Sequence, residues 1–350
     1  MIGYYIHHHG RGHRTRAASI AAHLHGAVTA LSSVPVPAGP PFAASMLLDR
    51  DDRDGAPEDP TAHGVLHWAP AHDTGLRTRM TQIATWVAAT RPSVMIVDVS
   101  VEITVFVRLL GVPVVVIAQP GERTDTAHRL AYQMADHIVA AWPQEVYTPD
   151  WLRPFATKTT FVGGISRFDG RARPIPAPAR EPRVLVLGGA GGSTLSVADV
   201  RACADRYPRY RWRALGLPGA AWVDDPWPAL GDCDVVVTHA GQNAIADLAV
   251  ARCPAIVIAQ QRPFDEQVAT AAALGAGDLA VTVPAWPAMH EWPALIEQAR
   301  RLGGDQWIRW QTTGAARRAA AVIDRLADRP AARLPPTPDS GLPGPVGIDR

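Results

Sequence analysis

Residues 238–267 read THAGQNAIADLAVARCPAIVIAQQRPFDEQ, and this stretch predicts the architecture of the protein. CDVVVTH at 233–239, which runs into it, is a continuous apolar run typical of a buried strand. GQNAIADLAVARC at 241–253 then predicts a helix, and PAIVIAQ at 254–260 predicts a second strand. Apolar strands that alternate with helices pack as a parallel sheet covered on both faces, so the stretch predicts an α/β fold.

The same alternation occurs elsewhere in the chain. IGYYI (2–6) predicts a strand and TRAASIAAHL (15–24) a helix, while SVMIVDVS (93–100) and VPVVVIAQP (112–120) predict two more strands. RVLVLGG (183–189) begins a second series. We therefore predict two Rossmann-like parallel-sheet domains that face each other across a cleft, because ligands in such sheets bind at the carboxyl ends of the strands.

A proline-rich segment separates the two series. RARPIPAPAREP at 171–182 contains four prolines and predicts a stiff, extended linker. The N-terminal domain is then expected over 1–170 and the C-terminal domain over 183–305. A helix over 306–326 is expected to pack back toward the N-terminal domain, and the proline-rich tail 327–350 is predicted to be flexible.

The composition narrows the classes of function. The 350 residues include 47% hydrophobic and 19% charged residues, and a net charge of +1 gives no argument for nucleic acid as a partner. Lys158 is the single lysine, which disfavours Schiff-base chemistry. Three cysteines without CxxC spacing suit a reducing compartment. No apolar run approaches the roughly 20 residues that span a bilayer. We expect a cytoplasmic protein without integral membrane association, and peripheral contact at the inner face of the membrane stays open.

The first candidate loop is HHHGRGH at 7–13, between a predicted strand and helix. Its glycines allow close approach to a ligand, and His13 would face the cleft as a general base. The alternative is that His13 caps or packs the helix start. His7 and His8 are expected to point in alternating directions at the strand end, and no metal site is expected there.

The second candidate loop is LGGAGGST at 187–194, which follows a strand. It predicts a turn that cradles a phosphate, although it lacks the ending of a Walker loop. An ordinary tight turn is the alternative. Its candidate ligand-binding residues are Gly188, Gly189, Gly191 and Ser193.

The third set lies in the opening stretch. His239 and Gly241 end a strand, and Gln242 and Asn243 begin a helix whose N–H groups and dipole favour a phosphate. Asp247, one turn later, could accept hydrogen bonds from a ribose diol. The residues Asp265, Glu266 and Gln267 offer acceptors and donors to sugar hydroxyls. For Asp265, Glu266 and Gln267 the alternative role is N-capping.

This pattern resembles the donor-sugar signature of GT-B fold glycosyltransferases. It resembles both the macrolide and plant-type UDP-glycosyltransferases and the C-terminal domain shared with the peptidoglycan UDP-N-acetylglucosamine transferase. The matching residues are His239, Gly241, Asn243, Asp247, Pro254, Glu266 and Gln267, and the likeness extends to Gly10–His13 and to the Gly188 loop.

The resemblance implies a role for each position. His239 and Gly241–Asn243 would hold a diphosphate, Asp247 a ribose, and Glu266 with Gln267 the sugar. His13 would be the catalytic base or a cleft contact, and Trp222 with Val223 would bracket the nucleotide base. Gly10, Arg11, Gly12 and Asp265 would be further cleft contacts.

The sequence also departs from the pattern. Asp247 is one methylene shorter than the usual glutamate, and Arg252-Cys253 replaces the glycine before Pro254. In the first loop, Arg11 stands where a small residue is usual. The N-terminal domain matches little beyond its first loop and VDVSVE (97–102), so the acceptor cannot be read from the sequence.

The expected function is transfer of a hexosyl or N-acetylhexosaminyl group from a nucleoside-diphosphate sugar, most simply a UDP-sugar, to an acceptor hydroxyl. No metal or other cofactor is expected, and the acceptor is a small molecule or lipid-linked. Two alternatives remain open, a nucleotide-sugar epimerase or hydrolase and an inactive nucleotide-sugar binding protein.

Overall fold

The computed structural model describes residues 1–8, 11–52, 56–172, 179–189 and 192–329. These residues form a seven-stranded and a five-stranded sheet, both parallel throughout. The strands are β1 (Ile2–Ile6), β2 (Val28–Ser32), β3 (Ala44–Leu47), β4 (Val94–Asp98), β5 (Val114–Ala118), β6 (His137–Ala140), β7 (Thr159–Phe161), β8 (Arg183–Leu187), β9 (Arg211–Leu215), β10 (Val235–His239), β11 (Ala255–Ile258) and β12 (Val281–Val283).

Helices connect the strands and cover both sheets. The α-helices are α1 (Gly12–Ala21), α2 (Thr74–Thr90), α3 (Val101–Leu109), α4 (Thr126–Met134), α5 (Val197–Arg206), α6 (Trp227–Gly231), α7 (Gln242–Ala251), α8 (Glu266–Ala276), α9 (Trp292–Leu302) and α10 (Ala315–Ala327). The 3₁₀ helices are Asp150–Lys158, Pro263–Asp265, Met289–Glu291 and Asp305–Trp310. None of the described helices is long and apolar enough to cross a membrane.

The strand order places the loop after β1 beside the loop after β4, and the loop after β8 beside the loop after β10. The first sheet has the order β3-β2-β1-β4-β5-β6-β7, so β1 and β4 are neighbours, and Ile6 is in register with Asp98. The second sheet has the order β12-β11-β10-β8-β9, so β8 and β10 are neighbours. The order reverses at these pairs, which is where α/β sheets bind ligands. The predicted α/β class with two parallel-sheet domains is confirmed.

The core strands are buried because their side chains face helices on both sides. All five residues of β1, β2, β4, β5 and β10 are buried. Side-chain caps set several helix starts: Ser100 accepts from the N–H of Ile103 and begins α3, and Asp125 accepts from the N–H of His128 and begins α4.

The last helix returns to the first domain. α10 packs on α1 and β4, and Ala315, Ala319, Val322 and Leu326 are buried in the same apolar cluster as β1. The single helix predicted over 306–326 is wrong in detail, since a 3₁₀ helix at Asp305–Trp310 precedes α10. Gln311 and Gly314 between them take left-handed φ values of 53° and 71°, which end one helix and precede the next.

Candidate active site

The two loop pairs meet across the cleft. Arg16 Nη1 donates to Gln242 Oε1 at 2.7 Å, and Asn243 Nδ2 donates to the carbonyl of Gly12 at 2.8 Å. A side chain at Gly12 would come within 3.3 Å of Asn243 Nδ2, so this close approach favours glycine. The start of α1 therefore lies against the start of α7.

His13 lies at this junction, beside a buried carboxylate. Its Nδ1 is 2.9 Å from Asp98 Oδ1, and Arg16 Nε donates to Asp98 Oδ2 at 3.0 Å. Burial acts to raise the pKa of Asp98, but Arg16 and His13 together hold that pKa well below its ordinary value. The carboxylate is therefore ionised and can only accept a hydrogen bond, which assigns the hydrogen to Nδ1 of His13 and leaves Nε2 as the basic nitrogen; Arg16 Nη2 also lies 3.1 Å from Nδ1.

Sequence reasoning missed Asp98 and Arg16. Asp98 was visible only as the last residue of the apolar strand in SVMIVDVS, and Arg16 as one of many arginines. The contact with Asp98 is compatible with a catalytic His13 and with the alternative that His13 packs at the helix start. The catalytic role of His13 stays a prediction.

The other residues of the first loop differ in how they compare with their predictions. Arg11 is exposed, pairs with Asp224 at 2.9 Å and lies 4.9 Å from the centre of the Trp222 ring. Gly10, a predicted cleft contact, lies outside the described residues. The expected divergence of His7 and His8 is wrong, because their rings stack at 4.7 Å. β1 ends at Ile6, so strand alternation no longer applies to them.

The predicted phosphate site joins the ends of β8 and β10. His239 Nδ1 donates to the carbonyl of Ile258 at 3.1 Å, and Ser193 Oγ donates to His239 Nε2 at 3.0 Å. Burial lowers the pKa of His239, which keeps the ring neutral and matches this tautomer. A Cβ on Gly188 would meet the carbonyl of Gly216 at 2.4 Å, whereas Gly189 has open space beside it. Gly191 lies outside the described residues.

The start of α7 has no side-chain cap. Gly241 is its N-cap residue and offers no side-chain cap, and no side chain of the described residues accepts from the first N–H groups of the helix. The side of Gly241 where a Cβ would stand is also open. N-capping is thus not the role of Gln242 or Asn243, whose side chains contact the first domain instead. Free N–H groups at a helix start favour an anion.

Asp247, the predicted ribose contact, is buried at the domain junction. Ser166 Oγ donates to its Oδ1 at 2.6 Å, and Arg167 Nε lies 3.4 Å from its Oδ2. Burial raises its pKa to about 6. Both carboxylate oxygens contact residues of the segment that follows β7, so a ribose would have to share or replace those contacts.

The predicted sugar-reading residues lie where α8 meets the first domain. Glu266 Oε2 is 3.4 Å from Arg123 Nη2, and the buried Gln267 accepts from the N–H of Gln260 at 3.2 Å. Asp265 accepts from Gln261 at 2.8 Å and does not cap α8. Arg123 was not predicted, since its region PGERTDTAH (120–128) carries no strong sequence pattern.

The region predicted to bracket the nucleotide base presents one exposed ring. Val223 is half-buried against the core, while Trp222 is 48% exposed and donates from Nε1 to Asp224 at 3.0 Å. An exposed indole fixed by a hydrogen bond is suited to stacking on a planar ligand.

Among the described residues one group could hold a metal ion: His67, Asp125 and His128, whose donor atoms lie within 4.8 Å of one another. These atoms already bond to each other, because Asp125 accepts from His67 Nε2 at 2.9 Å and from His128 Nδ1. Arg123 Nη1 lies 3.2 Å from His128 Nε2. Hydrogen bonds account for the cluster without an ion.

Two facing parallel sheets whose carboxyl-end loops meet, with a last helix that returns to the first domain, define the GT-B fold of glycosyltransferases. The glycotransferase of kitacinnamycin has a TM-score of 0.62 and 16% identity, covering 93% of this chain and 98% of that chain. MurG of Acinetobacter baumannii has a TM-score of 0.61 and 16% identity, covering 93% of this chain and 99% of that chain. At such identity the likeness shows the fold.

A more particular match lies in the second domain. Residues 220–284, which include His239 through Gln267, match the glycosyltransferase family 28 C-terminal domain. The UDP-N-acetylglucosamine–N-acetylmuramyl-(pentapeptide) pyrophosphoryl-undecaprenol N-acetylglucosamine transferase of Sorangium cellulosum is 30% identical over 260 residues, or 64% of this chain. The match spans 62% of that relative's length. The resemblance to GT-B glycosyltransferases is therefore confirmed.

Proposed function

We propose that the protein is a glycosyltransferase that moves a hexosyl or N-acetylhexosaminyl group from a nucleoside-diphosphate sugar to an acceptor hydroxyl. The observation that carries the proposal is the placement of His13, backed by ionised Asp98, against the uncapped start of α7. A base and an anion site on opposite walls of one cleft are the two groups that this transfer needs.

In this mechanism His13 Nε2 takes the proton of the acceptor hydroxyl. The acceptor oxygen bonds to the anomeric carbon while the bond from that carbon to the diphosphate breaks, and the electron pair leaves with the diphosphate. Asp98 stabilises the imidazolium that forms, and the N–H groups at the start of α7 stabilise the leaving charge. His239 and Ser193 lie at the edge of the same proposed anion site.

We favour UDP as the nucleotide because the curated relative is named for a UDP-sugar. The acceptor is a small molecule or lipid-linked, and that relative is named for a pyrophosphoryl-undecaprenol-linked acceptor. No metal or organic cofactor is required in the proposal, since the helix start takes the charge-stabilising role. A cytoplasmic location, with peripheral membrane contact left open, stays a prediction.

The test combines binding and turnover in the presence of EDTA. UDP should raise the unfolding midpoint by mass action, and a UDP-sugar should yield UDP when an acceptor is present. His13→Ala should keep the rise in the unfolding midpoint that UDP causes, here called the UDP shift. Its turnover should fall by roughly 10²–10⁴-fold. Unchanged turnover would exclude His13 as the base, and loss of wild-type activity in EDTA would contradict the metal-independent step.

The same experiment separates the alternatives. A hydrolase or epimerase would convert the donor without any acceptor. An inactive binding protein would show the UDP shift without turnover.

A further inference from the structure

A cavity of about 250 Å³ opens in the N-terminal domain next to the candidate base. It lies beyond the carboxyl end of β1, between the starts of α2 and α3. His7 lines it, and the His7 ring centre is 5.9 Å from that of His13. The lining residues are Tyr5, His7, His8, Asp51, Asp52, Trp68, Leu76, Arg79, Met80, Ser100, Glu102 and Ile103.

The exposed surface of the walls is mostly apolar and partly rigid. Leu76, Met80 and Ile103 supply aliphatic surface from two helices. Trp68 supplies an indole that is fixed because its Nε1 donates to the carbonyl of Asp51 at 3.1 Å. Such a lining, whose exposed surface is mostly apolar although charged side chains also reach it, is typical of a site for a small organic molecule. The volume is below the roughly 300–1,000 Å³ of sites for drug-sized ligands.

Four of the five N–H groups of the guanidinium in the wall donate to protein groups. Arg79 donates to both oxygens of Asp51, to the carbonyl of Asp49 at 2.9 Å and to Ser33 Oγ at 2.8 Å. The side chain is buried, and an entering anion would have to displace an ion pair to reach it.

The carboxylates in the wall add negative charge. Glu102 accepts from the N–H groups of His67 and Trp68, at 2.9 and 3.0 Å, and from Ser100 Oγ at 3.0 Å, which ties the 67–68 loop over the cavity. Three carboxylates and one guanidinium line the cavity, and Arg50, outside the lining, pairs with Asp52. Each of these two arginines is therefore already paired with an aspartate, and Glu102 adds a negative charge that disfavours a phosphate.

We infer that this cavity binds the acceptor, and that it selects a compact, uncharged aromatic alcohol rather than a diphosphate-linked lipid. The inference rests on the proposed function, because it takes His13 as the base that the acceptor hydroxyl meets. The inferred acceptor also differs from that of the Sorangium cellulosum relative, which is named for a pyrophosphoryl-undecaprenol-linked acceptor.

The test uses two probes that differ in charge at one position: 2-naphthol and 2-naphthyl phosphate, each titrated into the full chain with UDP present. 2-Naphthol should bind at least tenfold more tightly than its phosphate ester. Equal or tighter binding of the phosphate ester, or turnover with a sugar linked through diphosphate to a polyprenol and none with 2-naphthol, would overturn the inference.

Two methionine variants locate the binding. Met80→Trp fills the cavity and should lower 2-naphthol affinity at least tenfold, while Met134→Trp, at another half-buried helix position outside the cavity, should leave it unchanged. Unaltered affinity in Met80→Trp would place the probe elsewhere and overturn the inference. Met80→Ala, which enlarges the cavity, serves if the tryptophan variant does not fold, and should change affinity where Met134→Ala does not.

The UDP shift keeps the two proposals distinct. A UDP shift without 2-naphthol binding leaves the donor site standing and rejects the acceptor inference. Binding of 2-naphthol that Met80→Trp abolishes, in a protein that neither binds UDP nor releases it from any UDP-sugar, supports the cavity as an aromatic-alcohol site and rejects the glycosyltransferase proposal, and with it the acceptor role.

Discussion

Asp98 sets the orientation of His13, although 85 residues separate them in the chain. Asp98→Asn keeps the shape of the side chain but removes its charge. Turnover should fall by roughly 10²–10⁴-fold, because the imidazolium loses its partner and the neutral ring loses the hydrogen bond that selects its tautomer. The UDP shift should persist, since Asp98 does not contact the α7 start.

A second aspartate–arginine pair provides the control. Asp234 Oδ2 lies 3.1 Å from Arg183 Nε, at the amino ends of β10 and β8 and away from the cleft. Asp234→Asn should destabilise the fold without lowering turnover per folded molecule. Equal losses of turnover in the two variants would mean that Asp98 acts only through stability.

The free energy of unfolding should depend on pH because of Asp247. Burial raises its pKa from 3.8 to about 6, so the folded state binds a proton more tightly than the unfolded state does. Its contribution to the free energy of unfolding is therefore favourable at low pH, falls between pH 4 and 6, and is lowest above pH 6. The total change is roughly 3 kcal/mol, at 1.36 kcal/mol per pKa unit.

Asp247→Asn should remove this dependence, because the amide stays neutral and its oxygen can still accept from Ser166. Urea unfolding at pH 4.5 and 7.5 should show the variant gaining stability relative to wild type at the higher pH. A difference between the two proteins that is the same at both pH values would refute the assigned pKa.

At the scale of elements, the segment before α4 holds the turn before α8. The N–H of Glu122 donates to the carbonyl of Phe264 at 2.7 Å, and the Phe264 ring lies 4.6 Å from the Arg123 guanidinium and 4.7 Å from the His128 ring. Phe264 has a φ of 60°, a costly backbone conformation for a bulky residue. These contacts position the first turn of α8, which carries Glu266 and Gln267.

Gly121→Ala tests this contact. A Cβ at Gly121 would meet the Phe264 carbonyl at 2.2 Å, so the two segments must separate. Gly111→Ala is matched, because Gly111 has a similar positive φ, 79° against 95°, with nothing within 4 Å of its added Cβ. Because alanine is strained at a positive φ, both variants should lose roughly 1–2 kcal/mol of stability. Only Gly121→Ala should raise the KM for the UDP-sugar; a similar KM in both variants would show that the contact does not position α8.

The elements differ in how far the sequence predicts them. Strands β1, β4, β5, β8, β10 and β11 are continuous apolar runs buried on both faces, and such runs are recognisable without a structure. The sequence analysis did not predict β3, whose four residues ASML are mainly exposed and lack that signal. The contacts of Asp98, Gly121 and Arg123 depend on strand order and domain packing, which no local pattern encodes.

At the scale of the whole molecule, the end of the described chain completes the first domain. α10 follows the second domain in sequence, yet its buried face joins the cluster formed by α1, β1 and β4. A fragment that stops near residue 170 would leave this face of α1 and β4 exposed. The domain limits in sequence and the limits of the apolar cores therefore differ.

Two alanines in α10 provide the test of this closure. Ala319 is fully buried, while Ala321, two residues along the same helix, is exposed. Ala319→Glu places a carboxylate in the apolar cluster and should lower the free energy of unfolding by roughly 3 kcal/mol or more, whereas Ala321→Glu should change it by less than about 0.5 kcal/mol. Urea unfolding followed by tryptophan fluorescence measures both. Equal effects of the two glutamates would show that α10 is not part of the N-terminal core. If only Ala319→Glu unfolds the protein, the molecule cannot be divided at the proline-rich segment into two independent domains.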